Sequence, residues 1–463
     1  MRKLSVTILS LFLLVSAWGS EKVLIDKPIV DKRVELVTIV FRLAGNKEYN
    51  KNILTEYTKR IDDYFGQFRD HEVVAFAKKL YKEKSISYDA PVSLAITLDN
   101  RLNPVIEYSD NTFLRWNEDD AKEFVRLLKK FSQDTKSDKF FRESKNLYDK
   151  IEKRFTEVYK SLDLDWYSNF YGEKPGEKFT IAIVPGIGVN NYGPSFINSK
   201  GEKMVYAVMG VWKADSLDGP IFNIQKYLST IIHEFNHSFI NHLNAQKWDL
   251  LKANGHIILE IMNEEMSRMA YDKPEIVLNE ALVRAAVIKY FKDHNATESE
   301  IDRMIREEYN RGFLWIKELV AELDKYDSMR DQYPTLATYI PCIAKAYSDF
   351  AQKVKKFDDK RPRISSIREF KSGDKSVNHS LNKITIEFDR PLAGEGYSIN
   401  IGEKGLEAFP KVSKIYYSDD KKSVIMEVSL DPGKEYQFVL TGNNFKTPEG
   451  YPLKKQTISF KTQ

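Results

Sequence analysis

The chain has 463 residues, of which 42% are hydrophobic and 13% aromatic, which suffices for packed cores and excludes a disordered protein. The 71 Lys and Arg residues nearly balance the 67 Asp and Glu residues, and the formal net charge is +4. No basic block dominates the sequence, so we expect no nucleic-acid partner. The single cysteine, Cys342, excludes an internal disulfide.

The N-terminus has the pattern of a secretory signal peptide over 1–19. A basic start, MRK, precedes an apolar run over 4–18, and Ala17 and Gly19 are the small residues that a signal peptidase reads. The run is too short to span a bilayer comfortably, although an uncleaved N-terminal anchor is the alternative. An exported chain of this size without disulfides is typical of bacteria, and no cysteine near the cleavage site offers a lipid anchor. We therefore expect a bacterial protein that is secreted or periplasmic, without stable membrane insertion.

The first third of the sequence is mostly helical in its periodicity. Apolar residues recur every three or four positions over 52–83 and 121–159, whereas the apolar segment 30–45 fits either a helix or a strand. The β-branched segments 178–184 and 203–212 then predict two strands. We expect 203–212 to provide the edge to which an extended peptide substrate adds as a further strand.

The stretch 226–243, KYLSTIIHEFNHSFINHL, predicts a helix with two chemically different sides. Its apolar residues follow the i, i+3, i+4 pattern, and His233 and His237, four residues apart, share the other face. Two imidazoles one turn apart can bind one metal ion, and H-E-x-x-H on a helix is typical of zinc peptidases. Glu234 is then the general base that takes a proton from water. The alternative is a helix with two solvated or buried histidines and a surface carboxylate.

A catalytic zinc site usually has a third protein ligand besides two imidazoles. Glu280, on the predicted helix 277–291, is the first choice. Arg284 lies one turn further along the same face, where it can orient the carboxylate, although the two residues also fit a surface ion pair. The competing side chains are His256, which is the alternative ligand, and Glu260 and Glu264.

Two further residues are candidates for the cleft. Tyr192 lies in a loop flanked by Gly and Pro, which makes it a candidate oxyanion donor, although a tyrosine more often packs in a core. His71 is followed by Glu72 but not by a second histidine four residues on, so we interpret it as structural or cleft-lining.

The composition changes at 358–362, which we interpret as a linker. Beyond it, turn clusters separate seven short segments rich in β-branched and aromatic residues, a pattern typical of an immunoglobulin-type β-sandwich. These predicted strands are 364–370, 383–388, 397–401, 413–417, 423–430, 435–441 and 456–461.

Three separated motifs, VDKRVELVTIVFRLAG, HEFNHSFIN and NEALVRA, resemble those of an exported bacterial family catalogued as a domain of unknown function. The order of strands, HEFNH helix and Asn-Glu helix is also similar to the gluzincin zinc metallopeptidases. That resemblance implies His233, His237 and Glu280 as zinc ligands and Glu234 as the base. In many gluzincins the third ligand follows the second histidine more closely, in the region that His256 occupies here. The segments PRISSIREF and ITIEFDRPL resemble bacterial immunoglobulin-like modules, which are typically spacers or binding units.

We therefore expect an α+β protein with two domains. A metallopeptidase-like domain covers 28–357, with a helical N-terminal part to about residue 170 and a zincin-like part over 176–357, and an immunoglobulin-like β-sandwich covers 363–463. The expected function is hydrolysis of peptide bonds in a peptide or protein substrate, with Zn²⁺ as the cofactor. The cell envelope or the substrate is the expected contact of the β-sandwich. The competing function is a non-catalytic surface or binding protein with a structural or inactive zinc site.

Overall fold

The computed structural model describes residues 25–109, 115–173 and 176–463. Tertiary contacts divide the chain into two compact units, Met1–Ser238 and Phe239–Gln463. The predicted signal peptide lies outside the described residues. Within the described ranges, no helix combines the length and the apolar character that a bilayer crossing requires.

The first unit combines helices with a small mixed sheet. Its helices are α1 (Lys32–Leu43), α2 (Thr55–Phe65), α3 (Glu72–Lys84), α4 (Asp89–Ala95), α5 (Glu118–Thr135), α6 (Ser137–Glu143), α7 (Lys145–Lys160) and α8 (Asp165–Tyr171). Its strands are β1 (Ile29–Val30), β2 (Lys178–Ile183), β3 (Asn191–Tyr192), β4 (Ser195–Ile197) and β5 (Lys203–Met209). A further helix, α9 (Ile224–Gln246), contains the division between the two units.

The sheet of the first unit encloses β5 between other strands. β1 pairs with β2 and β2 pairs with β5, both in parallel, while β3 and β4 pair antiparallel with the other side of β5. The prediction that 203–212 provides a free substrate edge is therefore wrong, because β3 and β4 cover that edge. Strands of two and three residues are too short to show alternation in a sequence.

The segment 30–45, whose sequence fits either a helix or a strand, forms helix α1 over most of its length. The Asp31 side chain caps its N-terminus by accepting hydrogen bonds from two backbone N–H groups, and Gly45, with φ of +90°, follows its last turn. All residues from 34 to 43 are buried. A helix that is buried on every side has no polar face, so its sequence cannot be told from that of a buried strand.

The second unit contains helices followed by strands. Its helices after α9 are α10 (Trp248–Ser267), α11 (Pro274–Asp293), α12 (Glu298–Asn310), α13 (Ile316–Ser328) and α14 (Leu336–Asp359). In this unit α10 packs on α11 and α14, and α13 packs on α11 and α14. Because α14 ends at Asp359 and the next strand begins at Ile364, the change from helix to strand falls at the predicted linker.

The C-terminal strands form two antiparallel sheets. They are β6 (Ile364–Ile367), β7 (Lys383–Phe388), β8 (Ile399–Ile401), β9 (Lys411–Tyr417), β10 (Ser423–Ser429), β11 (Glu435–Leu440) and β12 (Gln456–Lys461). One sheet has the order β6-β7-β10-β9 and the other the order β12-β11-β8, and residues of both contribute to one hydrophobic core. Each of the seven predicted segments overlaps a strand, and the chain is a mixed α+β protein, as predicted.

The carboxylate of Glu35, on α1, is completely buried in the first unit. Its Oε1 accepts a hydrogen bond from the N–H of Gly186 at 2.6 Å, and its Oε2 accepts one from the Tyr57 hydroxyl at 2.8 Å. That hydroxyl also lies 2.8 Å from the hydroxyl of Tyr148. Burial raises the pKa of Glu35 from its ordinary 4.5 to about 7, although the two hydrogen bonds lower it. The Glu35 carboxylate on α1 thus links this helix directly to α2 and to the turn after β2, and through the Tyr57 hydroxyl to α7.

Replacement of this group, Glu35→Gln, should flatten the pH dependence of stability. Because the pKa of Glu35 is higher in the folded chain, its protonation stabilises the fold fully below about pH 4.5, and this contribution is lost as the pH rises through about 7. The loss is of the order of 3 kcal/mol at 1.36 kcal/mol per pH unit. Urea unfolding at about pH 5 and about pH 8 measures it. The exposed control Glu56→Gln should keep the wild-type pH dependence, and an unchanged dependence in Glu35→Gln would contradict this assignment.

Candidate metal centre

Helix α9 is fixed to the sheet of the first unit by Tyr227 in its second turn. The Tyr227 hydroxyl donates to the carbonyl of Gly210 at 3.0 Å and accepts from the N–H of Trp212 at 2.9 Å. The ring of Tyr227 also stacks on the indole of Trp212, with centroids 3.9 Å apart. That indole donates in turn to Asn191 on β3 at 3.0 Å. The start of α9 is therefore tied to the chain that follows β5 and to β3.

The apolar side of α9 is buried, as predicted. The buried side chains, each 6% exposed or less, are Leu228, Ile231, Ile232, Phe235 and Phe239. The ring of Phe235 lies 4.5 Å from that of Phe179 on β2. Asn236, which is fully buried, accepts a hydrogen bond from the Tyr171 hydroxyl at 2.9 Å. These contacts set the rotation of the helix about its axis, and they leave both histidines on its half-buried side.

The imidazoles of His233 and His237 face each other across one helical turn. Their Nε2 atoms are 3.2 Å apart, and the ring planes meet at 83°. Two ligand atoms, each about 2.0 Å from a tetrahedral zinc ion, are about 3.3 Å apart, so the pair has the spacing that such an ion needs. The same distance fits a hydrogen bond between one protonated and one unprotonated nitrogen. Metal binding requires both nitrogens to be unprotonated.

Glu280, on α11, completes a group of three potential ligands. One nitrogen of each imidazole and one carboxylate oxygen of Glu280 all lie within 4.8 Å of one another. Glu280 is 8% exposed, and both histidines are half-buried. Among the residues that the structure describes, these three form the group of His, Cys, Asp or Glu side chains whose ligand atoms lie close enough together to share one metal ion. The three side chains could hold a metal ion.

Glu234, the predicted general base, packs against the loop that joins β3 to β4. A Cβ atom added to Gly193 would lie 2.1 Å from Oε2 of Glu234, so the carboxylate occupies the space that any larger residue would fill. Gly193 does not have a positive φ, so its small size matters here rather than its conformational freedom. The sequence marks this loop as a turn, but no pattern in it indicates contact with the helix.

Arg284 forms a buried ion pair with Glu280 rather than a surface one. Its Nη2 lies 3.0 Å from Oε2 of Glu280, and its Nη1 lies 3.0 Å from Oε2 of Glu308 on α12. All three side chains are 13% exposed or less. Desolvation disfavours the charged guanidinium, but the two carboxylates outweigh it and raise the pKa of Arg284. The carboxylate of Glu280 therefore has a charged partner in a largely desolvated position.

The competing ligand candidates lie outside this group. His256 and Glu260 are exposed on α10. Glu264 pairs with Arg268 at 2.6 Å and accepts a hydrogen bond from the N–H of Lys455 at 2.8 Å. None of these three described residues belongs to the group of His233, His237 and Glu280.

The last two sequence candidates, Tyr192 and His71, differ in their surroundings. The Tyr192 hydroxyl is buried without a hydrogen-bond partner, and burial, with the negative charges of Glu48 and Asp89, raises its pKa. Its role as an oxyanion donor stays a prediction. His71 caps α3 through Nδ1, and its Nε2 lies 3.2 Å from a carboxylate oxygen of Asp134, which gives it a structural role.

The fold and the site together define a mixed α+β protein with a His-His-Glu group. The chain belongs to the family described as a domain of unknown function, DUF4932, whose model matches residues 28–346. This match confirms the predicted resemblance to an uncharacterised family. No curated protein matches the chain.

Among solved structures, the chain is similar to fragments of the bacterial S-layer protein SbsC. Domains 1–6 match with 14% identity and a TM-score of 0.19, over 55% of this chain and 35% of that one. The N-terminal part matches with 14% identity and a TM-score of 0.18, over 55% of this chain and 60% of that one. The fragment rSbsC(31-844) matches with 13% identity and a TM-score of 0.19, over 84% of this chain and 45% of that one. The chain thus spans less than two thirds of each, and similarities at these TM-scores carry no argument about its fold or function.

Adding a methyl group at the loop, Gly193→Ala, should destabilise the protein by about 1 kcal/mol, because the flexible carboxylate end of Glu234 must move. The same substitution should cost less in a Glu234→Ala background, where only the Cβ of residue 234 remains, at 3.1 Å. Urea unfolding of the four proteins measures this coupling. Gly66→Ala, at a position with open space, is the control. An equal cost in both backgrounds would contradict the contact.

Proposed function

We propose that the protein is an exported zinc-dependent peptidase that hydrolyses peptide bonds in peptide or protein substrates. The observation that supports this most is the 3.2 Å separation of the Nε2 atoms of His233 and His237, in one group with a carboxylate oxygen of Glu280. Glu234 follows the first histidine directly, as in the sequence pattern of zinc peptidases. The predicted signal peptide supports export.

The three side chains fit zinc better than they fit the alkaline-earth cations. Calcium and magnesium take oxygen ligands, whereas imidazoles suit zinc and other transition metals. Two histidines and one glutamate form one of the ligand sets of catalytic zinc, which keeps a further position open. His233, His237 and Glu280 would hold the ion. Since their ligand atoms lie within 4.8 Å of one another, shifts of about 1 Å would bring them to the separations of a tetrahedral site.

Glu234 would act as the general base of this site. When bound, zinc lowers the pKa of water to about 7 and polarises a carbonyl oxygen. Glu234 would accept a proton from water on a carboxylate oxygen and then donate it to the amine that leaves. The contact of its Oε2 with Gly193 holds the carboxylate at the loop that leads into β4.

We propose the outer edge of β4 as the place where an extended substrate strand pairs. One side of β4 pairs with β5. A groove beside β4 is lined by residues that include Ile106, Glu107 and Ile197, and Ile197 is 65% exposed. Because Gly193 contacts Glu234 and lies two residues before β4, a strand bound at this edge would run towards the proposed base.

We further propose that 363–463 is an immunoglobulin-like β-sandwich that binds the cell envelope or the substrate. Its sheets have four and three strands and share one core. Immunoglobulin domains of the constant type divide their strands between two sheets in the same proportion.

Purified wild-type protein should bind about one zinc ion and hydrolyse peptides from a mixed library, and a chelator should abolish the hydrolysis. The variant Glu234→Gln should keep its zinc and its melting temperature but lose hydrolysis by about 10²- to 10⁴-fold, because the proton acceptor is gone. Glu260→Gln, which changes an exposed carboxylate, is the matched control and should stay active. Zinc binding without hydrolysis of any library peptide would favour the competing function, a structural zinc site.

The third ligand can be tested by comparing Glu280→Ala with His256→Ala. Zinc content after dialysis should fall in Glu280→Ala, which removes a buried member of the group, and stay at the wild-type level in His256→Ala, which alters an exposed side chain. Circular dichroism confirms that both variants are folded. The reverse result would assign the ligand to His256.

A further inference from the structure

A tyrosine outside the sequence motifs contacts the proposed third ligand. The Tyr271 hydroxyl donates to Oε2 of Glu280 at 2.8 Å, and Nη2 of Arg284 donates to the same oxygen at 3.0 Å. Nη2 of Arg284 also donates to the Tyr271 hydroxyl oxygen at 2.9 Å. The hydroxyl, the guanidinium and Oε2 therefore form a closed triangle of hydrogen bonds.

The Tyr271 hydroxyl and the Arg284 guanidinium together occupy the hydrogen-bonding positions of Oε2 of Glu280. A carboxylate oxygen has about two lone-pair sites, and here Tyr271 and Arg284 each occupy one. A metal ion that binds Glu280 would then bind through the other oxygen, Oε1. A carboxylate without such partners can rotate and offer either oxygen or both. The triangle thus selects one orientation of Glu280 and binding through a single oxygen.

Tyr271 is positioned by the loop between α10 and α11. Its backbone N–H donates to the carbonyl of Met266 at 3.0 Å. The preceding residue, Ala270, has φ of +62°, a left-handed conformation that is unfavourable for a non-glycine residue. The left-handed conformation of Ala270 is therefore part of the loop geometry in which the hydroxyl of Tyr271 contacts Glu280.

Arg284, the other donor to Oε2, is itself held in place by two further contacts. Its Nη1 donates to Oε2 of Glu308 at 3.0 Å, and its guanidinium lies over the ring of Phe313, 5.2 Å from the centroid. Replacing Arg284 would change the charge of the cluster as well as its geometry. Replacing Tyr271 with Phe removes one hydroxyl and leaves every charge in place, so it isolates the effect of orientation.

We propose that Tyr271 is a positioning residue for metal binding, whose hydroxyl holds Glu280 in the orientation in which one carboxylate oxygen binds the ion. The proposal rests on the proposed function, since Glu280 has to be a ligand. It assigns a role to the loop between α10 and α11, nine residues before the ligand, where the sequence shows no motif.

The test is the zinc affinity of the full chain, measured by competition with a chelating dye for the wild type and for Tyr271→Phe. The variant should bind zinc roughly 10- to 100-fold more weakly, as is typical when the partner of a ligand is removed. The matched control is Tyr339→Phe, because Tyr339 is a buried residue whose hydroxyl also donates to a carboxylate, that of Glu322, at 3.2 Å. The control should bind zinc as the wild type does.

A second measurement separates orientation from general loosening of the fold. With Co²⁺ in place of zinc, the visible absorption reports the coordination number, and it should weaken in Tyr271→Phe as Glu280 becomes free to bind through both oxygens. The spectrum of Tyr339→Phe should match that of the wild type. Since each variant loses only one side-chain hydroxyl, both should remain folded.

The outcomes distinguish this proposal from the proposed function. Wild-type affinity and spectrum in Tyr271→Phe, in a protein that binds zinc, would overturn the role of Tyr271 and leave the peptidase proposal standing. An equal loss of affinity in Tyr271→Phe and Tyr339→Phe would also overturn it, because the effect would then not depend on contact with Glu280. A wild-type protein that binds neither metal would overturn both.

Discussion

The fixed rotation of α9 about its axis is the constraint on which the candidate site depends. A helix turns by about 100° per residue, so a shift by one position would move the histidines out of the ligand group that they form with Glu280. Two tyrosines prevent such a shift. Tyr227 ties the start of the helix to the chain that follows β5, and Tyr171 donates to Asn236 inside the HEFNH motif itself. The second x of the motif H-E-x-x-H is therefore a buried residue, Asn236, that anchors the helix.

What could be predicted from the sequence is what local patterns encode. The helical period separates the apolar side of α9 from His233 and His237, and the structure buries that apolar side. The four-residue spacing of the histidines predicts adjacent imidazoles, which lie 3.2 Å apart. The helix of Glu280 and Arg284 follows from the same kind of pattern, and their contact is the expected one for residues one turn apart. The C-terminal strands were predictable because turn residues separate them.

What could not be predicted depends on contacts between residues far apart in the chain. β3 and β4 are too short to show a period, so the sequence pattern alone predicts the substrate edge at β5, which lies inside the sheet. Gly193 touches Glu234 from a loop that reads only as a turn, and Tyr271 reaches Glu280 from an irregular connection. The buried carboxylate of Glu35 lies in a segment with no polar face at all. In each case the feature depends on which side chains contact each other in the folded chain, and the spacing of residues along the sequence does not predict those contacts.

The length of β4 has a consequence for selectivity. Three residues advance about 10 Å, and alternate side chains point to opposite faces of a strand. A partner paired along β4 as proposed would present at most two side chains to the same surface, so backbone hydrogen bonds would contribute more to affinity than side-chain identity. Such an edge distinguishes extended chains from folded ones rather than one sequence from another. The proposed peptidase would then select its substrates chiefly by their local unfolding.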